Sequence, residues 1–381
     1  MFMNPHIPFH KMESAASTLD LNSFIELNPM KLAGPGKFSQ SVETKLSQII
    51  GSKSSLLTPS GTAALEMIAI LLNIQPNDEV IMPSWTFSST ATAFILRGAK
   101  IVFVDVELDT LNMQPNLVEN AITSKTKALV TINYGGLPGQ IEALERIAQK
   151  NGLFFVEDNA HGFGGSINGK NLGNFGTLSA LSFHQTKNLQ CGEGGALVIN
   201  SAEFRERSEI IREKGTNRSS FLRGEIDKYT WRDIGSSFVI SELLAFYLDL
   251  NLHSFELNQN ARRTTWALYE LHLAGWANDN GVKIPTSQRG VVPACHAFWI
   301  VLSTAEDSYR FIKHMEASSI GVSRHYVPLH SAPAATKYHC RTYKSMENTD
   351  KLGEQLVRLP MYSSLSENEI SRIIDTVKRF K

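Results

Sequence analysis

Apolar residues between about residue 53 and residue 200 come in short runs separated by longer amphipathic stretches. The short runs are typical of strands and read SSLL at 54–57, EVIM at 79–82, KIVFVDV at 100–106, KALVTI at 127–132, LFFVED at 153–158, LSALSF at 178–183 and ALVI at 196–199. Several are apolar at consecutive positions, as in strands that are covered on both faces. Helices predicted at 61–74, 115–126 and 141–152 separate some of them. The pattern favours an α/β fold whose mostly parallel central sheet is sandwiched by helices.

The pattern changes after about residue 200. Residues 201–275 are richer in helix formers, and 241–273 contain so few breakers that they predict one long helix. Beyond this point, short strand-like runs such as AFWIVL at 297–302 alternate with helical segments such as SYRFIKHMEASS at 308–319. We therefore predict a large α/β domain with an N-terminal arm over residues 1–250, and a smaller α+β domain over residues 251–381.

Composition excludes several classes of protein. The 381 residues carry 37 Lys plus Arg and 37 Asp plus Glu, so no basic excess indicates nucleic acid as a partner. The three cysteines are far apart and form no CxxC pair, which argues against a disulfide scaffold or a structural metal site and suits a reducing compartment. The N-terminus does not have the pattern of a secretory signal, and no apolar run reaches about 18 residues. We expect a cytoplasmic protein with no membrane partner.

The stretch SFHQTKNLQCGEGG at 182–195 places Lys187 and several glycines between two apolar runs. Alone, it is typical of a solvated loop lysine beside turn glycines. A second stretch, TPSGTAALEM at 58–67, passes from the end of a strand into a helix. A helix N-terminus offers free N–H groups and a positive dipole end, which suit a phosphate, although plain capping by Ser60 or Thr62 fits as well.

Two more stretches follow predicted strands. In MPSWTFSST at 82–90, Trp85 could stack on a flat ring at a strand edge or pack in the core. In FFVEDNAHG at 154–162, Asp158 closes an apolar strand, where a carboxylate is costly unless it is paired. It could pair with a protonated ring nitrogen or cap the next turn. Combined, a phosphate cradle, an aromatic face, Asp158 and Lys187 are the parts needed to hold pyridoxal 5′-phosphate, with Lys187 as its anchor and proton carrier.

One motif points elsewhere. GGSINGKN at 164–171 nearly matches the nucleotide-binding loop GxxxxGK[ST], but Asn171 stands in place of the Ser or Thr that would hold magnesium. The segment also does not lie directly between a strand and a helix, which that motif requires. We do not predict an NTPase.

With these parts assembled, the chain resembles the DegT/DnrJ/EryC1/StrS sugar aminotransferases, which have fold type I of the pyridoxal phosphate enzymes. The resemblance covers nearly the whole chain and is carried above all by VEDNAHG, SFHQTKN and GEGGALVIN, together with TPSGTAALEM, EVIMPSWTF and GAKIVFVDV. EIIREKGTNRS, DKYTWRDIGSS and HYVPLH are particularly similar to the branch of dTDP-4-amino-4,6-dideoxygalactose transaminases, which serve enterobacterial common antigen and related glycans such as lipopolysaccharide.

The resemblance implies a role for each matching residue. Lys187 is the lysine that binds the cofactor covalently, and Asp158 is the partner of its ring nitrogen. Gly61, Thr62 and Ala63 form the phosphate turn, Ser182 also reaches the phosphate, and Trp85 is the stacking aromatic. His161 stands where the family usually has Gln, which contacts the ring hydroxyl, so it would add a pH dependence. Where many members have Asn for the partner subunit's phosphate, the region 238–240 has none, and Ser237, or its neighbour Ser236, is expected to substitute.

The resemblance also implies a homodimer with shared active sites and a two-stage amino transfer. L-Glutamate would supply the amino group, and the keto carbon of dTDP-4-dehydro-6-deoxy-D-glucose would receive it. His325, Tyr326 and His330 of HYVPLH are candidates for the sugar pocket, although they could equally shape a loop. Alternatives are another sugar carbon, a UDP- or GDP-linked sugar, a dehydratase of this fold, or a protein that only binds. Lys187 argues against the dehydratase, since dehydratases have His there, and the intact Lys187 and Asp158 argue against a mere binding protein.

Overall fold

The predicted strands form one large sheet in the computed structural model, which describes residues 5–12, 24–26 and 32–381. Numbered along the chain, the strands are β1 Ser54–Thr58, β2 Glu79–Pro83, β3 Lys100–Val104, β4 Thr126–Ile132, β5 Phe154–Asp158, β6 Ser166–Ile167, β7 Lys170–Asn171, β8 Leu178–Ser182, β9 Gly195–Ile199, β10 Val291–Val292, β11 Phe298–Val301, β12 Ser323–Arg324, β13 Arg341–Thr342 and β14 Leu356–Leu359.

The helices of the described residues are numbered in the same way. They are α1 Lys37–Ile50, α2 Gly61–Leu71, α3 Ser88–Ile95, α4 Pro115–Ala121, α5 Ile141–Lys150, α6 Arg205–Arg212, α7 Arg218–Leu222, α8 Glu242–His253, α9 Phe255–Asp279, α10 Ala305–Ala317, α11 Pro333–Lys337, α12 Glu347–Gln355 and α13 Glu367–Arg379. Among the residues that the structure describes, none of these helices has the length and apolar character needed to cross a bilayer.

The main sheet has eight strands in the order β1-β9-β8-β5-β4-β2-β3-β13. The pairs from β8 through β13 are parallel, whereas β9 is antiparallel to both β8 and β1. The prediction of a mostly parallel sheet is therefore confirmed. Strands β2, β4 and β5 are apolar on both faces because helices cover both sides, with Met67 and Ile68 of α2 in one core and Leu144 of α5 in the other.

The prediction of one long helix over 241–273 is wrong. The chain forms α8 and α9, which are separated at Ser254. Apart from Phe255 at its start, which shares the core of α8, α9 packs in a different core. Phe246 of α8 packs against Phe38 of α1 with ring centroids 4.7 Å apart, whereas Trp266 of α9 lies in a second cluster. Tertiary packing thus sets a break that the local sequence does not signal.

This second cluster joins α9, α10 and α13 to the three-stranded sheet β11-β14-β12. Ile7 also belongs to it, because the N-terminal segment 5–12 pairs with Ile320. Strand β13, by contrast, returns to the main sheet beside β3. The division into domains at residue 250 stays a prediction.

The segment that nearly matches a nucleotide-binding loop forms the hairpin β6–β7. Lys170 lies 3.4 Å from Glu145 and therefore has a partner on the protein surface. No helix begins at this hairpin, so the segment does not have the strand–loop–helix geometry of a phosphate-binding loop.

Candidate active site

A cavity of about 640 Å³ opens at the carboxyl ends of β5 and β8. Ligands of open α/β sheets bind at this edge. Most of the residues predicted for the site line it, namely Gly61, Thr62, Asp158, His161, Ser182, Lys187, His325 and Tyr326. Trp85, Ala63 and Ser237 do not contribute to its wall.

The N-terminus of α2 forms one end of the cavity. The Ser60 hydroxyl accepts the N–H of Ala63 at 3.0 Å, so the predicted capping is real. Capping uses only that donor, and in the described part of the chain the N–H groups of Gly61 and Thr62 have no acceptor. A Cβ on Gly61 would lie 3.0 Å from the Cβ of Ser182, so glycine is what lets the start of α2 pack this closely against β8. Free donors, a helix dipole and a bare backbone together make a cradle for a phosphate.

Lys187 lies in the connection between the antiparallel strands β8 and β9. Its backbone N–H donates to the carbonyl of His184 at 2.8 Å, and the glycine at 192 turns the chain back with φ of 84°. Burial lowers the pKa of the Lys187 amine to about 8, against the opposing effect of Asp158. At pH 7 about a tenth of this amine is therefore uncharged, far more than for an ordinary lysine, and the uncharged form is the one that acts as a nucleophile or base.

Asp158 ends β5 and is 6% exposed. The Thr90 hydroxyl donates to its Oδ2 at 2.6 Å, and the N–H of Ala160 donates to Oδ1 at 3.3 Å. Burial raises the pKa of this carboxyl, and these bonds and the charge of Lys187 oppose that effect. In the described residues no Arg or Lys forms a salt bridge with it. The site thus holds a buried, oriented carboxylate that a cationic ligand atom would stabilise.

The structure does not bring Trp85 to the cavity. Trp85 is fully buried, and the rings of Tyr134 and Tyr326 lie 5.7 Å from it. It is therefore a core residue, which was the alternative interpretation. Phe87, two residues later, lines the cavity and is 58% exposed. Of the two aromatic residues that follow β2, Phe87 is therefore the one available to a flat ring.

Three imidazoles lie close together in the cavity wall. His161 stacks on His296 with centroids 4.1 Å apart and an angle of 19°, and His325 lies 6.1 Å beyond His161. Burial is the largest cause that lowers the pKa of each, and the charge of Lys187 lowers them further. All three are therefore neutral at pH 7. The Nδ1 atom of His161 is buried and has no hydrogen-bond partner in the described part of the chain, so it is available to a polar ligand atom.

The other candidates are distributed as follows. His325 is held by the Tyr134 hydroxyl, 3.1 Å from its Nδ1. His330 lies outside the cavity wall, because its ring is bound by Ser84 at 2.8 Å and Asp350 at 3.0 Å. Ser237 is exposed and lies away from the cavity of its own chain.

The comparisons with known proteins agree with this geometry. The sequence model of the DegT/DnrJ/EryC1/StrS aminotransferase family matches residues 20–378. The chain belongs to this family. The dTDP-3-amino-3,4,6-trideoxy-alpha-D-glucose transaminase of Streptomyces venezuelae is 29% identical over 99% of this chain and 96% of that protein. The UDP-N-acetyl-3-dehydro-alpha-D-glucosamine 3-aminotransferase of Acidithiobacillus ferrooxidans is 31% identical over 90% and 89%.

The fold agrees as well. The crystal structure of a DegT DnrJ EryC1 StrS aminotransferase from Brucella abortus superposes with a TM-score of 0.85 at 29% identity, covering 94% of this chain and 93% of that one. The protein is thus a sugar aminotransferase of this family, and its cofactor is pyridoxal phosphate.

The residues present fit that cofactor. The cradle at Gly61 suits its phosphate, the buried carboxylate of Asp158 suits its ring nitrogen, and the partially uncharged amine of Lys187 suits its aldehyde. The unpartnered Nδ1 of His161 is a polar atom available to the ring hydroxyl.

Sequence reasoning missed several residues of this sugar aminotransferase. Thr90, Tyr134 and His296 orient the predicted groups, and Phe9 and Arg358 line the cavity from distant parts of the chain. Thr90 could have been found, since it lies in the quoted MPSWTFSST stretch. The others lie outside the motifs, and only the tertiary fold brings them to the site.

Proposed function

We propose that this aminotransferase moves the amino group of L-glutamate to C4 of a dTDP-linked 4-keto-6-deoxy sugar. The product would be dTDP-4-amino-4,6-dideoxy-D-galactose. The observation that carries the proposal is the position of His325 and Tyr326. They belong to HYVPLH, one of the three segments similar to that branch, and they line the same cavity as Lys187. The similarity to this branch therefore extends to residues beside Lys187, where the keto carbon of the sugar would have to lie.

Different residues of the chain would bind different parts of the cofactor. When bound, pyridoxal phosphate supplies an aldehyde that takes up the amino group and a ring that withdraws electrons. Gly61, Thr62 and Ser182 would hold its phosphate, and Phe87 rather than Trp85 would cover its ring. Asp158, oriented by Thr90, would hold a proton on the ring nitrogen.

Lys187 would anchor the cofactor and then carry the proton. Its Nζ atom removes the proton from Cα of the donor in the first stage and delivers a proton to C4 of the sugar in the second. A pKa of about 8 suits both tasks, because the amine can accept and release a proton near neutral pH. The neutral imidazole of His325 and the Tyr326 hydroxyl would meet the sugar hydroxyls.

A homodimer is part of the proposal. The segment around Arg218–Leu222 and the residues that follow it expose several large apolar side chains, including Trp231 at 79% and Leu222 at 55%. Exposed apolar side chains close together in the chain are typical of an interaction surface. Ser237 lies just beyond this segment, where it could reach the phosphate held by the partner. The three cysteines, which form no disulfide among the described residues, support a reducing, cytoplasmic location.

Amination at C3 is the second candidate. Two relatives at 29% and 31% identity are named as enzymes that aminate C3 of a dTDP-linked and a UDP-linked sugar. The residues around Lys187 serve either reaction, because the orientation of the sugar decides which carbon meets the amine.

Product analysis separates the candidates. The holoenzyme is incubated with L-glutamate and, separately, with dTDP-, UDP- and GDP-linked 4-keto-6-deoxy sugars and with 3-keto sugars, using Lys187→Ala as the blank. NMR of the product identifies the nucleotide, the aminated carbon and its configuration. An axial amine at C4 of the dTDP sugar supports the proposal. An equatorial C4 amine, or turnover of 3-keto, UDP or GDP sugars alone, overturns it and leaves the family unchanged.

A further inference from the structure

One cationic side chain of the cavity has no role in the account above. Arg358 lies on β14, the central strand of the three-stranded sheet. Trp299 of β11 pairs with it on one side and Ser323 of β12 on the other. Because strands flank it on both sides, its backbone is fixed, and the guanidinium reaches the cavity from a rigid support.

The guanidinium is held in place but not neutralised. Its Nη2 donates to the Arg324 carbonyl at 3.4 Å, and its central carbon lies 4.8 Å from the centre of the Phe9 ring. Its Nε is buried without a hydrogen-bond partner, and within the ranges the structure describes no carboxylate forms a salt bridge with it. A largely buried charge without a counter-ion is costly, so this site favours an anionic ligand.

The guanidinium also acts on the reacting amine. Arg358, Lys187 and His325 line the same cavity, and the positive charge of the guanidinium lowers the pKa of both other groups. In an α-amino acid, the α-carboxylate is bonded to the same carbon as the amine. The pyrophosphate of a nucleotide sugar, by contrast, is separated from the keto carbon by the sugar ring. An anion that must lie near the reacting amine is therefore a carboxylate of the amino donor.

We propose that Arg358 binds a carboxylate of the donor amino acid, and the same carboxylate of the 2-oxo acid product, through two N–H groups on one edge of its guanidinium. The inference rests on the proposed use of an amino acid donor. Planar guanidinium groups match carboxylates with two parallel hydrogen bonds, and the Phe9 ring and the Arg324 carbonyl hold the plane in position.

The test measures the two half-reactions separately by the absorbance of the bound cofactor. In Arg358→Gln, the L-glutamate concentration for half-maximal conversion should rise about 10- to 100-fold, the range expected for a charge-assisted bond. The half-reaction with the keto sugar, started from the pyridoxamine form, should change less than about threefold. Calorimetry with 2-oxoglutarate on the pyridoxal form, where no amine is available to react, should show a matching loss of affinity.

Arg310→Gln is the matched control. Its guanidinium also lies over a phenylalanine ring, 5.4 Å from Phe380, but it has Asp307 as a partner and lies outside the cavity. Both half-reactions should stay unchanged. Arg358→Lys is the second variant if the Gln variant does not fold. It keeps the charge but not the fork, so its half-maximal glutamate concentration should still rise.

Each outcome decides the inference. An unchanged glutamate dependence in Arg358→Gln or Arg358→Lys overturns it, and so does an equal loss in the keto-sugar half-reaction. L-Glutamine lacks the side-chain carboxylate of L-glutamate, and the α-amide of L-glutamate lacks the α-carboxylate. The two analogues therefore show which carboxylate Arg358 binds, because replacing Arg358 should not change the half-maximal concentration of the donor that lacks the bound carboxylate. If the unmodified enzyme accepts no amino acid at all, the proposed function fails; if it accepts one and the variants match it, only the role of Arg358 fails.

Discussion

Replacement of Asp158 by Asn tests the proposed partner of the ring nitrogen. The change removes a charge and keeps the shape, since the amide can accept from the N–H of Ala160 and donate to the Thr90 hydroxyl. Removing one member of a buried ion pair costs about 3–5 kcal/mol. If that loss falls on the transition state of the donor half-reaction, the rate decreases about 150- to 5,000-fold.

The assay is a single turnover with saturating L-glutamate, followed by rapid-mixing absorbance, with the bound cofactor per chain measured in parallel. Asp105→Asn is the matched control. Asp105 is also 6% exposed, but it accepts the N–H groups of Asn348 and Thr349 outside the cavity wall. It should lower the unfolding temperature and leave the rate within about threefold, as expected for a residue remote from the reaction. A cofactor-loaded Asp158→Asn enzyme whose rate lies within tenfold of the unmodified enzyme would refute the reasoning.

Three further predictions concern the cradle, the aromatic face and the imidazoles. In Gly61→Ala the new methyl group lies 3.0 Å from the Cβ of Ser182 and 3.2 Å from the Leu181 carbonyl oxygen, so the start of α2 must shift, and a titration should show weaker cofactor binding together with a lower unfolding temperature; unchanged affinity contradicts the cradle. Phe87→Ala should weaken cofactor binding about two- to tenfold, as measured by titration. Trp85→Ala should instead lower the free energy of unfolding by about 3–5 kcal/mol, because it empties a fully buried site. If Trp85→Ala weakened cofactor binding and Phe87→Ala did not, Trp85 would be the stacking residue. Because burial lowers the pKa of His161, the unfolded chain binds the proton first, and this residue alone makes stability decrease by about 1.4 kcal/mol per unit as pH falls below about 6.5. His296 and His325 add slopes of their own, so His161→Gln should make thermal unfolding measured from pH 7.5 to 5.5 less steep without removing the pH dependence, and equal slopes would contradict the neutral imidazole.

The sequence predicted the large sheet well because its strands are buried on both faces. KALVTI and ALVI consist largely of apolar residues, and such runs between helical segments have few alternative structures. The break at Ser254 was missed because it depends on which core each helix meets, and nothing in the local sequence encodes that choice.

The residues of the site also differ in how well the sequence predicts their positions. Lys187, Asp158 and the turn at Gly61 follow strands directly, so the topology of a parallel sheet is enough to bring them to one edge. The topology of the sheet could not predict whether Trp85 or Phe87 faces the cavity. Both follow β2, and α3 begins at residue 88, so the turn between them decides which ring enters the core. The position of Arg358 was harder still to predict, because this residue lies on a separate sheet that borders the cavity.

The neutral imidazoles have a consequence for the charge of the cavity. Lys187 and Arg358 are cations of its wall and Asp158 is a buried anion, and both reactants of the proposed amino transfer, L-glutamate and a nucleotide sugar, are anions. A protonated His161, His296 or His325 would attract those anions more strongly, but it would also lower the pKa of Lys187 below about 8 by like-charge repulsion. The amine would then be a weaker base toward the donor. Because burial keeps the imidazoles neutral, they can form hydrogen bonds with the substrate without lowering the basicity of Lys187.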